Sequence, residues 1–365
     1  MISDMDSPMM CCDEQCTTHE MPPSQYEDSG LAIDQLSAVL RTEQTYAVPQ
    51  IPCTAAMGPI SSLPYGEWRR KICQWCFKVV DHFQLDREVV SSGMNIFDRY
   101  LASRPRPCEA GGCACPACQK NIDSRLFQLA AMTSLYIAMK MYSDSRRDSP
   151  YRNLRLSAFV ELSRGQFTAN DISEMEQSIL KDLKWKVNPP TPMTVVPYLL
   201  QVMPTRPMSP SLRQRSDLVL HVLHELARYM SELSVCLGSS SFQYSPSQVA
   251  FASILVSMDL LTLHALPMSM RQEFLESAMK ISRFSGGTIL SPHDSAIITL
   301  QARLRQSFWP EMLIDDQECV DPGHPIFMAR EYGLLDIATL ASPQSKWTTT
   351  EVNVHGSPVS VRGGF

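Results

Sequence analysis

Apolar residues recur along this chain every three or four positions, and the recurrence breaks at proline, glycine and short polar runs. Trp68, Ile72, Trp75, Val79 and Phe83 fall on one face of a helix. Val90, Met94, Phe97 and Leu101 form the stripe of a second, which must end before Pro105 because a proline ring and its missing amide cannot extend a helix. The third segment, Arg125 to Tyr142, is apolar almost all round, so it belongs in the middle of a domain with the other helices packed about it. Leu156, Phe159 and Val160 give a fourth helix stopped at Gly165. A fifth opens at Thr168 with an acid three residues on at Asp171, the spacing of a capping box.

A second set begins after Pro189 and Pro190, where Thr191 and Pro192 read as an N-cap and first-turn pair. Pro197 is expected to kink the helix that follows or to shift its start. Leu218, Val222, Leu226, Met230 and Leu233 keep helical spacing, and runs from Pro246 to Leu263, Met268 to Arg283 and Pro292 to Phe308 bring this set to five as well. No alternating strand pattern competes. The expected fold is all-α: a flexible N-terminal arm over residues 1–60, five helices over 61–188, five more over 189–312 and a flexible tail over 313–365. Within the arm, only Leu31, Leu36 and Leu40 show helical spacing.

Composition narrows the function. A chain of 365 residues accommodates two domains of ordinary size. Its net charge of −6 supplies no general hold on a phosphate backbone, so nucleic acid is not an expected direct partner. The longest uncharged apolar stretch, Leu126 to Met139, falls short of the roughly 20 residues a membrane helix needs. No secretory leader is evident, so the expectation is a soluble intracellular protein with its 12 cysteines reduced. Phosphate-binding glycine loops, zinc-protease helices and nucleophile elbows are all missing, and no catalytic residues are assigned.

Five positions on four of the expected helices carry a resemblance: Arg69, Asp98, Leu129, Lys140 and Glu176. Together with the surrounding WRRKICQW, NIFDRYLASR, SRLFQLAAMTSLYIAMKM and FTANDISEMEQSILKDLKW followed by PPTP, they resemble a cyclin box. LKW and KMYSD look more like the G1, D-type branch than the mitotic one. The resemblance implies two tandem five-helix cyclin folds, and a regulatory subunit that binds and activates a cyclin-dependent kinase at the G1/S transition. It implies no catalysis of its own, no cofactor, and a place in nucleus and cytoplasm. By the same resemblance, Arg69 and Asp98 form a structural ion pair between the first two helices, Leu129 is core, and Lys140 and Glu176 bind backbone around the kinase's regulatory helix. Glu176 lies on the apolar stripe with Ile172 and Ile179, where an ionised acid needs a partner. The alternatives are that Lys140 answers a helix dipole and that Glu176 leans out to water. One departure is that Met141, Tyr142 and Ser143 precede Asp144, where many relatives place acids directly after the lysine.

Three further features follow. Trp68, Ile72 and Trp75 match a substrate-docking patch that binds Arg-x-Leu peptides in many cyclins, although Lys78 stands where relatives carry an acid, and the three equally fit a core-facing stripe. Met10, Cys12 and Glu14 resemble the Leu-x-Cys-x-Glu segment by which D-type cyclins bind retinoblastoma-type pocket proteins; in an extended peptide their side chains point the same way. Cys108, Cys113, Cys115 and Cys118 form an insertion that the resemblance does not explain, open to three readings: a zinc site, a redox-responsive disulfide or a plain loop. The competing functional class is a cyclin-fold transcription scaffold that binds polymerase or a transcriptional kinase. A basic surface and an N-terminal zinc ribbon would mark it, and this chain is acidic with its cysteine cluster in mid-domain.

Overall fold

The computed structural model describes residues 29–47, 65–103, 124–145, 155–204, 210–237, 244–308 and 325–336. Their regular structure is helical: α1 (Ser29–Gln44), α2 (Tyr65–His82), α3 (Glu88–Ser103), α4 (Ser124–Ser145), α5 (Leu156–Leu162), α6 (Ala169–Asp182), α7 (Pro192–Gln201), α8 (Pro210–Cys236), α9 (Pro246–Asp259), α10 (Met268–Ser285), α11 (Ser295–Ser307) and α12 (Pro325–Glu331). Among the described residues there is no strand, only an isolated antiparallel bridge between Leu261 and Leu335.

Two hydrophobic cores organise these helices. The first is built from α2 to α6, the second from α7 to α11 with contributions from α1 and α12. Each has a helix at its centre. Every residue of α4 from Ala130 to Met139 is buried, as is every residue of α9 from Val249 to Met258. A helix apolar on all sides has no face to give to water, so its neighbours must enclose it. Gly93 lets α3 approach α4 closely, because a Cβ there would stand 3.2 Å from the Leu135 backbone.

Local chemistry sets the boundaries. Thr168 caps α6 with the capping box read from the sequence, Asp171 returning the bond to the Thr168 amide. Thr191 does the same for α7 with Thr194 as its partner, and Pro192 takes the first turn, where its missing N–H costs nothing. Pro197 sits inside α7 without displacing that start. Past α5 the chain turns through Arg164 (φ 51°) and Gly165 (φ 76°), the stop expected there.

Three expectations need correction. Residues 1–60 are not all a flexible arm: α1 lies within them, and Leu36 and Leu40 are fully buried in the second core. Too few apolar positions marked α1 from sequence alone, because its docking rests on distant partners. The Glu43 carboxylate accepts hydrogen bonds from the Ser247 amide (3.0 Å) and hydroxyl (2.6 Å) at the first turn of α9. Gly287 leaves room for α1, since a Cβ there would meet the Leu40 carbonyl oxygen at 2.9 Å. The expected C-terminal tail likewise contains α12, which packs on α8 and brings Ala329, Leu334 and Leu335 into the second core. Finally, the buried face of α2 is Arg69, Cys73, Cys76, Phe77 and Val80 together with Val79 of the expected stripe, whereas Trp68, Ile72, Trp75 and Phe83 are only partly buried. Arg69 reads as a surface charge in any hydropathy pattern, and its burial rotates the helix.

Burial pushes the Glu43 carboxyl above its ordinary range, against the opposing hydrogen bonds from Ser247. Glu43→Ala is expected to cost about 1–3 kcal/mol by leaving the Ser247 amide unsatisfied. Limited proteolysis should then cut within α1 sooner than in the wild type. Gly287→Ala should produce the same pattern, and unchanged cleavage in both variants would detach α1 from this account.

Candidate partner-binding site

The site is built on the outer side of the first core, where α4 and α6 lie against each other. Lys140, in the last turns of α4, donates to Glu176 Oε1 on α6 at 2.6 Å. The lysine side chain is 42% exposed and the glutamate 19%, so the pair faces solvent over a partly apolar floor. That floor is Tyr136, one turn before Lys140, whose ring lies 4.9 Å from the Lys140 Nζ and packs against Phe159. Burial raises the Tyr136 phenol above its usual value. Glu176 thus has the partner that its place on an apolar stripe demanded, supplied from within the chain. Met141, exposed beside Lys140, extends the apolar edge.

A few residues away, Glu88 at the start of α3 ties three helices together. Its carboxylate accepts from the Tyr142 hydroxyl at 2.6 Å and from the Thr191 and Thr194 hydroxyls that cap α7. The last turns of α4, including Lys140, are therefore fixed to the start of the second set. Sequence reasoning missed Glu88, since an acid in a helix's first turn ordinarily needs no partner beyond the helix dipole.

Arg69 and Asp98 are both fully buried and paired in two-pronged fashion, Nε to Oδ1 at 3.1 Å and Nη2 to Oδ2 at 2.8 Å. Arg69 Nη1 also donates to the Val235 carbonyl at 2.6 Å. That carbonyl belongs to the last turn of α8, where the helix cannot satisfy its own acceptors. One guanidinium thereby joins α2, α3 and α8. Beside it, Arg87 grips Asp81 through Nε and Nη2 (2.8 and 2.7 Å) and reaches Glu232 on α8 through Nη1 (3.0 Å). Leu129 is only half-buried at the edge of the first core, less enclosed than the core position expected of it.

Trp68, Ile72 and Trp75 are each partly buried against the first core, with Trp68 edge-on to Phe127 at 5.7 Å. One side of each packs inward and the other stays accessible. Trp185, of the LKW segment, is 73% exposed on a turn where Lys184 and Trp185 both take positive φ. Met10, Cys12, Glu14, Cys108, Cys113, Cys115 and Cys118 lie outside the described residues. Among the described residues no three metal-binding side chains come together.

Comparison with known proteins agrees with this geometry. Residues 43–188 match the family "Cyclin, N-terminal domain". The chain is 28% identical over 201 residues to the G2/mitotic-specific cyclin-B2 of Mesocricetus auratus, covering 54% of this chain and 40% of that protein. It is 27% identical over 208 residues to that of Oryzias latipes, covering 56% and 43%. The chain thus spans about two-fifths of the length of these relatives, and they are B-type rather than D-type. A viral cyclin from herpesvirus saimiri aligns in structure with a TM-score of 0.45 at 15% identity, over 76% of this chain and 98% of that one. The CAK complex from Chaetomium thermophilum bound to ATP-gamma-S aligns with a TM-score of 0.44 at 11% identity, over 91% and 94%. The region that matches the cyclin N-terminal domain, residues 43–188, holds Arg69 and Asp98 in one buried pair and Lys140 and Glu176 in one surface pair.

Proposed function

We propose that this protein is the regulatory subunit of a cyclin-dependent protein kinase, binding the kinase through the surface around Lys140 and Glu176. The observation that carries the reading is that pair, held at 2.6 Å on the outer face of the region that matches the cyclin N-terminal domain and anchored over Tyr136. A fixed lysine beside a fixed carboxylate offers a donor and an acceptor a few ångströms apart, which suits the exposed backbone at the end of a partner's helix. Activation then consists of moving the partner's regulatory helix and activation segment until the kinase's own Lys–Glu pair forms. Phosphoryl transfer stays with the kinase, and this chain contributes binding energy only.

The G1/S assignment rests on the LKW and KMYSD segments and on Met10, Cys12 and Glu14 as a docking peptide for a retinoblastoma-type pocket protein. Similarity to G2/mitotic-specific relatives favours a second reading, action at mitosis. Both readings place the complex in the nucleus for part of its cycle.

Affinity capture of the full chain from dividing cells, followed by mass spectrometry, is expected to recover a cyclin-dependent kinase. The purified chain should raise that kinase's phosphorylation of a protein substrate. Recovery of polymerase subunits in place of a kinase would turn the reading toward a transcription scaffold. Chain abundance through synchronised cells decides the timing, with a peak before DNA synthesis for G1/S and a peak before division for mitosis.

A further inference from the structure

Cys73 and Cys236 meet at the junction of the two helical sets, sulfur to sulfur at 3.2 Å. They lie 163 positions apart, one in the middle of α2 and the other the last residue of α8. Both are thiols. A disulfide has its sulfurs about 2.05 Å apart, so closing the bond requires the two to approach by roughly one ångström more. The two helices pack on each other, and Arg69, one turn before Cys73, holds the carbonyl of Val235, the neighbour of Cys236.

The two thiols are not equivalent. Burial raises the Cys73 thiol well above its ordinary value, and the hydrogen bond with Cys236 raises it further. Cys236 is held below its ordinary value, first because Cys73 donates a hydrogen bond to it and then because Arg69 and Arg87 stand near, burial opposing both. Cys73 is fully enclosed whereas Cys236 is half-buried. Cys236 is therefore the sulfur of the pair that a small oxidant reaches first. Cys76, one turn along α2, is fully enclosed and its thiol is pushed far up by burial.

We propose that Cys73 and Cys236 are an oxidation site that closes into a disulfide between α2 and α8 when the protein meets a hydroperoxide such as hydrogen peroxide. The Cys236 thiolate attacks one peroxide oxygen, the O–O bond breaks, and the departing hydroxide takes up the thiol's proton to leave as water. Cys236 is then a sulfenic acid. The Cys73 sulfur attacks the Cys236 sulfur, the S–O bond breaks, and the oxygen leaves as a second water with the Cys73 proton. Two thiols and one peroxide become one disulfide and two waters, with the sulfurs oxidised and the peroxide reduced. The product staples the two helical sets at the point where Arg69 already joins them.

The test is a non-reducing peptide map of the full chain, purified reduced, freed of reductant and treated with hydrogen peroxide. Trypsin releases Ile72–Lys78, which carries both Cys73 and Cys76, so fragmentation assigns the linked sulfur. The expected result is a Cys73–Cys236 link in the wild type and in Cys76→Ser, absent from Cys73→Ser and from Cys236→Ser. Oxidised wild type should melt at a higher temperature than reduced, a shift that dithiothreitol reverses. The wild-type map needs no variant, so a misfolded variant leaves the test intact. A link through Cys76, Cys236 carried on to sulfinic acid without a link, or Cys236 unmodified at a peroxide dose that oxidises a small free thiol would each overturn the proposal.

Discussion

Replacing Arg69 by alanine is expected to destabilise the protein by about 3–5 kcal/mol, the usual cost of leaving one member of a buried ion pair alone. Asp98 is fully buried and takes two hydrogen bonds from that guanidinium, so its carboxylate would lose both with no water to replace them. The Val235 carbonyl would be orphaned at the same time. Asp98→Ala should cost a similar amount by stranding the guanidinium. The joint variant Arg69→Met with Asp98→Leu should recover much of the loss, because an apolar pair of similar volume removes both charges together. Urea unfolding of the four proteins measures this. A single-variant loss under about 1 kcal/mol would place the pair among ordinary surface bridges.

The Lys140 and Glu176 variants are expected to behave in the opposite way. Their pair is accessible, with the lysine 42% and the glutamate 19% exposed, so Lys140→Ala or Glu176→Ala should change the unfolding free energy by no more than about 1 kcal/mol. At a kinase interface the same groups would be desolvated, and truncating one partner there costs about 2–5 kcal/mol. That corresponds to an affinity loss of about 30-fold to a few thousand-fold. Calorimetric titration against the captured kinase, beside urea unfolding of each variant, separates the two quantities. Unaltered kinase affinity in the double variant would remove Lys140 and Glu176 from the interface.

Much of the helical order was legible because it is local. Capping residues such as Thr168 with Asp171 and Thr191 with Pro192 act within one turn, and their signals survive in a single sequence. The long apolar run of α4 likewise announces its place at the centre of a core. What stayed hidden depends on partners far along the chain. Glu43 meets Ser247, Cys73 meets Cys236 and Arg87 meets Glu232, each across 145 residues or more. No periodicity in one segment encodes such a contact, and α1 was accordingly read as part of an arm. For the site itself, the apolar stripe of α6 showed that Glu176 needed a partner. That the partner is Lys140 depends on how α4 and α6 pack.

The docking of α1 also sets an order of events during synthesis. Leu36, Leu40 and Glu43 emerge from the ribosome roughly 200 residues ahead of Ser247, the group that satisfies Glu43. At about 5–20 residues per second, the first helical set has ten seconds or more in which to form while α1 still lacks its surface. Its contacts have the highest sequence separation among those described here, and the loop they close carries the largest entropic penalty. Among the described helices α1 is thus translated first yet cannot be seated until α9 has emerged, and a nascent chain stalled before Ser247 would present Leu36 and Leu40 to whatever chaperone waits at the exit.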